Sequence, residues 1–199
     1  MQTFFGTQII QQKISFDLAD LQAEIELIKK SDWQGRAWSK ANYGKGYTSY
    51  GSLDQLQKLS STFAALEKKI DLQITRYLKK LNYKATLKSD LKMANCWVNI
   101  MPAQAQHTAH IHPRSVISGV YYVSVPLGAS CIKFEDPRLG LFMNAPQVNP
   151  KAALTHQRFV QLQPKAGDLV IFESWLKHEV PANTSKLPRI SISFNYDWV

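Results

Sequence analysis

Long apolar runs are missing: nowhere does the chain approach the ~18 uninterrupted apolar residues of a membrane span. The opening stretch MQTFFGTQIIQQK has neither the basic start nor the small-residue cleavage site of a secretory leader. These absences predict a cytoplasmic protein with no membrane partner. Cysteine is scarce: Cys96 and Cys131 are the only two, in the apolar contexts NCWV and SCIKF, which predicts buried reduced thiols and not a disulfide. Acidic side chains are outnumbered, 15 against 24 Lys and Arg, for a net charge of +9. The lysines are nevertheless dispersed (IKK, EKK, LKK, LKSDLK) opposite apolar residues, as on solvated helix faces, so a nucleic-acid partner is not favoured. A basic surface would also gather small anionic substrates or an acidic protein. Internal repeats and low-complexity tracts are absent.

What is present is an ordinary globular composition, 199 residues with 45% hydrophobic and 20% charged, enough for one core and one domain. The chain has two textures, helical support over 1–85 and a β-rich core over 86–199. From Asp17 to Ser31, Leu18, Leu21, Ile25 and Ile28 recur at helical spacing behind an Asp17 cap. Leu59, Phe63, Leu66, Ile70, Ile74, Tyr77 and Leu81 form a second, longer apolar stripe, suited to packing on a sheet. Between these, residues 32–51 are rich in Gly, aromatic and polar residues and read as a long irregular connection, a candidate substrate-facing loop.

After Asn82 the period becomes alternating. Strands are predicted at 95–101, 115–125, 131–135, 158–163, 168–173 and 189–196, separated by Pro- and Gly-containing punctuation. That pattern indicates a mainly β protein, an antiparallel sandwich or jelly roll, buttressed by the helices. In RISISFNYDWV, Arg189, Ser191, Ser193 and Asn195 share one face while Ile190, Ile192 and Phe194 share the other. The polar face suits either the lining of a wet pocket or a half-exposed edge.

Histidine is also rare, five in all, yet three stand in HTAHIHPRSVISGVYYV (107–123). His110 and His112, one residue apart on an extended segment, can aim at one point. His178 follows the apolar strand DLVIFESW, and a jelly roll can pair such distant strands, bringing a third imidazole to the same ion. Three protein ligands leave three octahedral positions for a bidentate ligand and dioxygen. His107 is a weaker rival ligand, and His156, without a partner in sequence, reads as a surface residue. Eleven residues after His178 stands Arg189, a fork for a carboxylate, with the Ser191 hydroxyl two along on the same face.

With these residues together, the chain resembles the iron(II)- and 2-oxoglutarate-dependent oxygenases, which have a double-stranded β-helix (a cupin-like jelly roll) as their fold. It is most similar to a small bacterial and phage branch, related to prolyl hydroxylases, with His-x-His-Pro then Ser-Gly-Val-Tyr-Tyr, Phe-x-Ser-Trp-Leu-x-His and Arg-Ile-Ser-x-Ser-Phe-Asn. Here these stand as HIHPRSVISGVYYV, FESWLKHEV and RISISFN, and the resemblance covers roughly residues 95–199. It implies Fe(II) as cofactor and 2-oxoglutarate as cosubstrate, with His110 and His178 as iron ligands. Most of the superfamily has His-x-Asp, whereas His112 occupies the carboxylate position here; Glu135 or Asp136 of FEDPR is the competing third ligand.

The resemblance further implies that Arg189 and Ser191 hold the distal carboxylate of 2-oxoglutarate. Tyr122 is then the inward tyrosine reaching that carboxylate, and Tyr121 points outward. By strand alternation Trp97, Asn99 and Met101 face the pocket, where Asn99 binds either the cosubstrate or a nearby backbone group. Trp175 shields the iron or fills the core. The implied reaction is hydroxylation of a C–H bond in an amino acid, peptide or small metabolite, with release of succinate and CO2. Three alternatives differ in what they need. A cupin-like metal protein or dioxygenase without 2-oxoglutarate gives Arg189 no role. A nucleic-acid demethylase of the same fold needs a basic, aromatic rim, which Trp33, Arg36, Trp38, Tyr43, Tyr47 and Tyr50 could form. A structural β-sandwich leaves the histidines without a ligand.

Overall fold

The computed structural model describes residue 2 and residues 4–199. In chain order the elements are β1 (Ile10–Lys13), α1 (Leu18–Ser31), α2 (Trp33–Asn42), β2 (Tyr47–Thr48), α3 (Leu56–Leu59), α4 (Ser61–Leu81), β3 (Leu91–Met101), β4 (His107–His110), β5 (Ile117–Ser124) and β6 (Ile132–Glu135). Two 3-10 turns follow in the connection, then β7 (Phe159–Leu162), β8 (Asp168–Glu173), β9 (His178–Val180) and β10 (Arg189–Trp198). Ten antiparallel strands form two sheets: a six-stranded one ordered β1-β8-β5-β10-β3-β2 and a four-stranded one ordered β4-β9-β6-β7. This is the double-stranded β-helix. Among the described residues no helix is long and apolar enough to cross a membrane.

Local chemistry accounts for the helices. Asp17 caps α1 by accepting from the Ala19 and Asp20 amides, and Ser60 caps α4 by accepting from Phe63. Asn82 closes α4 in the left-handed conformation (φ 56°), which asparagine tolerates better than most residues. Leu59, expected on the long helix, is instead in α3 and exposed, because the extended backbone of Ser60 separates the two helices.

The helices cover the outer face of the six-stranded sheet. Leu21, Ile25, Phe63, Leu66, Ile70 and Ile74 pack in one cluster with Val98, Ile100, Tyr121, Val123, Ile190, Ile192 and Phe194. Each fully buried aliphatic or phenyl side chain contributes roughly 1.5–3 kcal/mol. The alternation of β10 is resolved by this packing: its apolar face meets helices, and its polar face turns inward between the sheets. Cys96 is buried in the helix-facing core and Cys131 is half-buried; both are free thiols.

Residues 32–51 are not an irregular connection. They fold into α2 and β2 around the buried Asp32 carboxylate, which accepts from the Gly35 amide (2.8 Å), the Tyr47 hydroxyl (2.8 Å) and the Ser52 hydroxyl (2.6 Å). A Cβ at Gly35 would lie 1.9 Å from Asp32 Oδ2, so the glycine is needed for that close approach. Composition alone suggests a loop because the organising contacts are long-range. Strands β1, β2, β4 and β9, of two to four residues each, also lie outside the sequence-based strand set.

Candidate metal centre and anion pocket

Between the sheets lies a cleft of about 660 Å³. On its four-stranded side, β4 and β9 pair so that His110 and His178 are direct partners, and Phe134 of β6 flanks His178 on the next strand. His112 lies just beyond β4, its amide bonded to the Ser174 carbonyl (2.9 Å). His110, His112 and His178 each offer a ring nitrogen to a common point, all within 4.8 Å of one another.

The second ring nitrogens are already engaged. His110 Nδ1 lies 2.7 Å from the Thr108 carbonyl oxygen, His178 Nδ1 lies 2.9 Å from that of Leu176, and His112 Nδ1 lies 2.7 Å from Asn195 Oδ1. Each acceptor requires the proton on Nδ1, which leaves the Nε2 lone pair of each ring for a metal. Asn195 is itself held by the Ser118 hydroxyl (2.8 Å), which also meets the Ser174 hydroxyl (2.7 Å). Burial pulls the His178 pKa down to about 3 and lowers that of His112, against the opposing pull of its bond to Asn195. Burial thus favours the neutral form of His112 and His178, the form in which a histidine binds metal.

The competing carboxylates are elsewhere. Glu135 is paired with Lys177 (3.1 Å), and Asp136 with Arg138 (2.9 Å) and Arg158 (3.7 Å). Neither lines the cleft or joins a candidate metal cluster among the described residues. For Glu135 the reason is strand parity, since Ile132 and Phe134 of β6 face the interior and Glu135 faces out; Asp136 lies past the end of the strand and is held by its two arginines. His107 lines the cleft edge-on to Tyr43, with ring centroids 4.7 Å apart. Burial lowers its pKa to about 4. His156 is exposed.

Opposite the histidines, the inner face of β10 presents Arg189, Ser191, Ser193 and Asn195 to the cleft, and β3 adds Trp97, Asn99 and Met101. Arg189 is only 2% exposed, yet among the described residues it pairs with no acid. Its guanidinium contacts Met101 Sδ (3.3 Å), approaches Ser191 Oγ (3.5 Å) and lies over the Tyr122 ring, 4.7 Å from the centroid. Tyr122 faces this interior, whereas Tyr121 points into the helix-packed core. Around the guanidinium several buried polar atoms have no partner: Arg189 Nε and the hydroxyls of Tyr122 and Tyr43. Asn99 donates to Ser193 (3.0 Å), so its side chain bonds another side chain and not a turn; its Oδ1 is also unpartnered.

A buried cation without a counter-ion costs several kcal/mol, and each unpartnered polar atom ~1–3 kcal/mol more. An anionic group entering here would relieve both. The residues thus fit a divalent metal on three imidazoles beside a carboxylate-bearing ligand on Arg189.

Two expectations differ from the structure. Trp175 neither shields the cleft nor fills the core; it is 46% exposed and outside the lining. The polar turn Glu173–Leu176 directs Leu176 inward in its place. Of the proposed aromatic rim, Trp38, Tyr43 and Tyr50 line the cleft, but Trp33 is on the surface, Tyr47 is tied to Asp32, and Arg36 bonds the last carbonyls of α1. The supports Asn195, Ser118 and Ser174 were not legible in the sequence. The motif Arg-Ile-Ser-x-Ser-Phe-Asn includes Asn195, but its role depends on where His112 lands.

Comparison with known proteins gives the family and the fold. Residues 95–195 match the family described as "Putative 2OG-Fe(II) oxygenase". The chain belongs to this family and is a 2-oxoglutarate-dependent non-haem iron oxygenase, an oxidoreductase whose cofactors are iron and 2-oxoglutarate. Comparison with curated proteins finds no match. Among solved structures, the alpha ketoglutarate dependent epimerase SnoN from nogalamycin biosynthesis aligns with TM-score 0.65 at 17% identity, over 96% of this chain and 78% of that one. A Pseudomonas putida prolyl-4-hydroxylase aligns with TM-score 0.58 at 16% identity, over 96% and 92%. HygX from Streptomyces hygroscopicus, with nickel and 2-oxoglutarate bound, aligns with TM-score 0.61 at 11% identity, over 96% and 83%. At such identities the likeness is one of fold.

Proposed function

We propose that the chain hydroxylates a C–H bond of a small-molecule or peptide substrate, with iron held by His110, His112 and His178 and the distal carboxylate of 2-oxoglutarate held by Arg189. The observation that carries this reading is the unpaired, buried Arg189 in the same cleft as three imidazoles whose Nδ1 atoms are all engaged. Bound iron and 2-oxoglutarate supply the oxidising power by coupling dioxygen reduction to decarboxylation.

The chain's own residues set the geometry. Thr108, Leu176 and Asn195 fix the tautomer and aim of the three rings. Arg189 and Ser191 orient the carboxylate, the Tyr122 hydroxyl donates to it, and Asn99 Oδ1 accepts from a donor on the bound ligands or a bridging water. Phe172, Ile132 and Val180, lining the same cleft, exclude bulk water from the reacting region. A metal protein with no use for 2-oxoglutarate has no reason to bury an unpaired guanidinium.

The test is anaerobic titration with Fe(II) and 2-oxoglutarate. A metal-to-ligand charge-transfer band is expected in the wild type and absent in Arg189→Ala and His178→Ala. Metal binding by the wild type without that band would overturn the 2-oxoglutarate assignment. Hydroxylation itself is tested by mass spectrometry of substrates that stimulate succinate release; a desaturated or rearranged product would refute it.

A further inference from the structure

The cleft has a second end. The inner face of β10 runs from Arg189 through Ser191, Ser193 and Asn195 to Asp197, and Asp197 also lines the cleft. Its Oδ1 is buried without a hydrogen-bond partner, and among the described residues the carboxylate makes no ion pair. Lys92 is the cross-strand partner of Asp197 on β3 and Arg114 also lines the cleft, but neither comes within ion-pairing distance of it. The same strand therefore presents an unpaired cation at one end and an unpaired anion at the other.

Aromatic rings connect this end to the histidines. Trp97 lies 4.9 Å from Tyr50 and 6.3 Å from His112, centroid to centroid, and Trp38 packs its ring over Gly51 beside Tyr50. Tyr50 and Trp38 remain substantially exposed while lining the cleft. Aromatic faces and a carboxylate attract the same kind of ligand, an organic cation. Neither feature takes part in holding the metal or the anion at Arg189.

Strand geometry also supplies a length. Asn195, which holds His112, is two residues from Asp197, and two residues of strand span roughly 7 Å. Asp197 is thus one strand repeat beyond the residue that holds His112, a spacing that suits an ammonium or guanidinium on an aliphatic stem reaching from Asp197 towards the histidines. We propose that the substrate is a primary amine or guanidine of this kind, its cationic head on Asp197 and its stem along Trp97 and Tyr50. The oxidised carbon then lies on the stem, near the histidines. This rests on the oxygenase reading for what happens to that carbon, but not for binding. The lysine-rich helices do not oppose it, since α1 and α4 lie on the other side of the six-stranded sheet, and charges beyond about 8 Å are largely screened at physiological salt.

The test is equilibrium binding to the metal-free full chain by calorimetry. The probes are free L-lysine and L-arginine, their Nα-acetyl methylamides as peptide mimics, and the neutral norleucine and citrulline counterparts. Cationic probes are expected to bind about tenfold more tightly than neutral ones in the wild type, with the preference lost in Asp197→Asn and weakened in Tyr50→Leu. Tighter binding of the free or of the capped form assigns the source as amino acid or peptide. No saturable binding of any cationic probe, equal affinity for neutral ones, or a preference that survives Asp197→Asn overturns the proposal. These titrations need neither iron nor 2-oxoglutarate. A chain that sorts probes by charge but shows no charge-transfer band loses the cofactor assignment and keeps this one; the opposite pair of results does the reverse.

Discussion

His110 and His178 are direct cross-strand partners, with ring centroids 4.4 Å apart, on two strands of four and three residues. Two imidazoles at this separation, both with Nδ1 engaged, are preformed as part of the proposed metal site. Replacing either with alanine is expected to abolish tight Fe(II) binding, with folding retained. Metal stoichiometry after anaerobic loading, beside circular dichroism of the metal-free chain, checks both parts.

In the proposed centre, Asn195 acts on the metal through His112. Asn195→Ala removes the acceptor that orients the ring, and a loss of roughly 10–100-fold in metal affinity is expected. Competition against a chelator measures it. An unchanged affinity would show that Ser118, 3.2 Å from the same ring nitrogen, suffices.

Arg189 links function to instability. Arg189→Met keeps the volume and removes an unpaired buried charge, so the ligand-free chain is expected to gain about 1–4 kcal/mol. The same variant should lose the stabilisation that 2-oxoglutarate with metal gives the wild type. Denaturant unfolding with and without ligand reads both effects, and a destabilised ligand-free variant would contradict the account of Arg189.

The pKa of His178 is lowered by burial from the usual 6.5 to about 3. Between those values the unfolded chain binds more protons than the folded one, so folding stability rises with pH through this window. The contribution is complete above pH 6.5 and is lost progressively as pH falls towards 3. In metal-free protein, His178→Gln should flatten the dependence of Tm on pH across that range.

Gly119 sits between β10 and β8, where an added Cβ would lie 2.3 Å from the Phe194 ring and 2.7 Å from the Val170 carbonyl oxygen. The carbonyl cannot yield, so Gly119→Ala is expected to cost roughly 1–3 kcal/mol. Chemical denaturation gives the cost. Metal affinity should fall as well, since Phe194 adjoins Asn195 on the displaced strand.

The period of the sequence was sufficient for the capped α1, for most of the α4 stripe and for six of the strands, because each depends on local spacing and on one face being apolar. The pocket-facing Trp97, Asn99 and Met101 were legible for the same reason, whereas the inward Tyr122 was implied by the family resemblance. The segment 32–51 was not, since the contacts that order it converge on Asp32 from Tyr47 and Ser52. Trp175 also misled, because a large ring near the proposed metal ligand His178 can leave the interior in a tight turn.

By itself, then, the order of residues determined alternation: which side chains of β10 are polar together, and that His110 and His112 share a side. Only the tertiary structure decided that His178 meets His110, that Glu135 turns away, and that Arg189 and Asp197 line the same cleft with no ion pair among the described residues. Local periodicity sets the face on which a side chain lies, but distance between faces depends on how the two sheets close over one another.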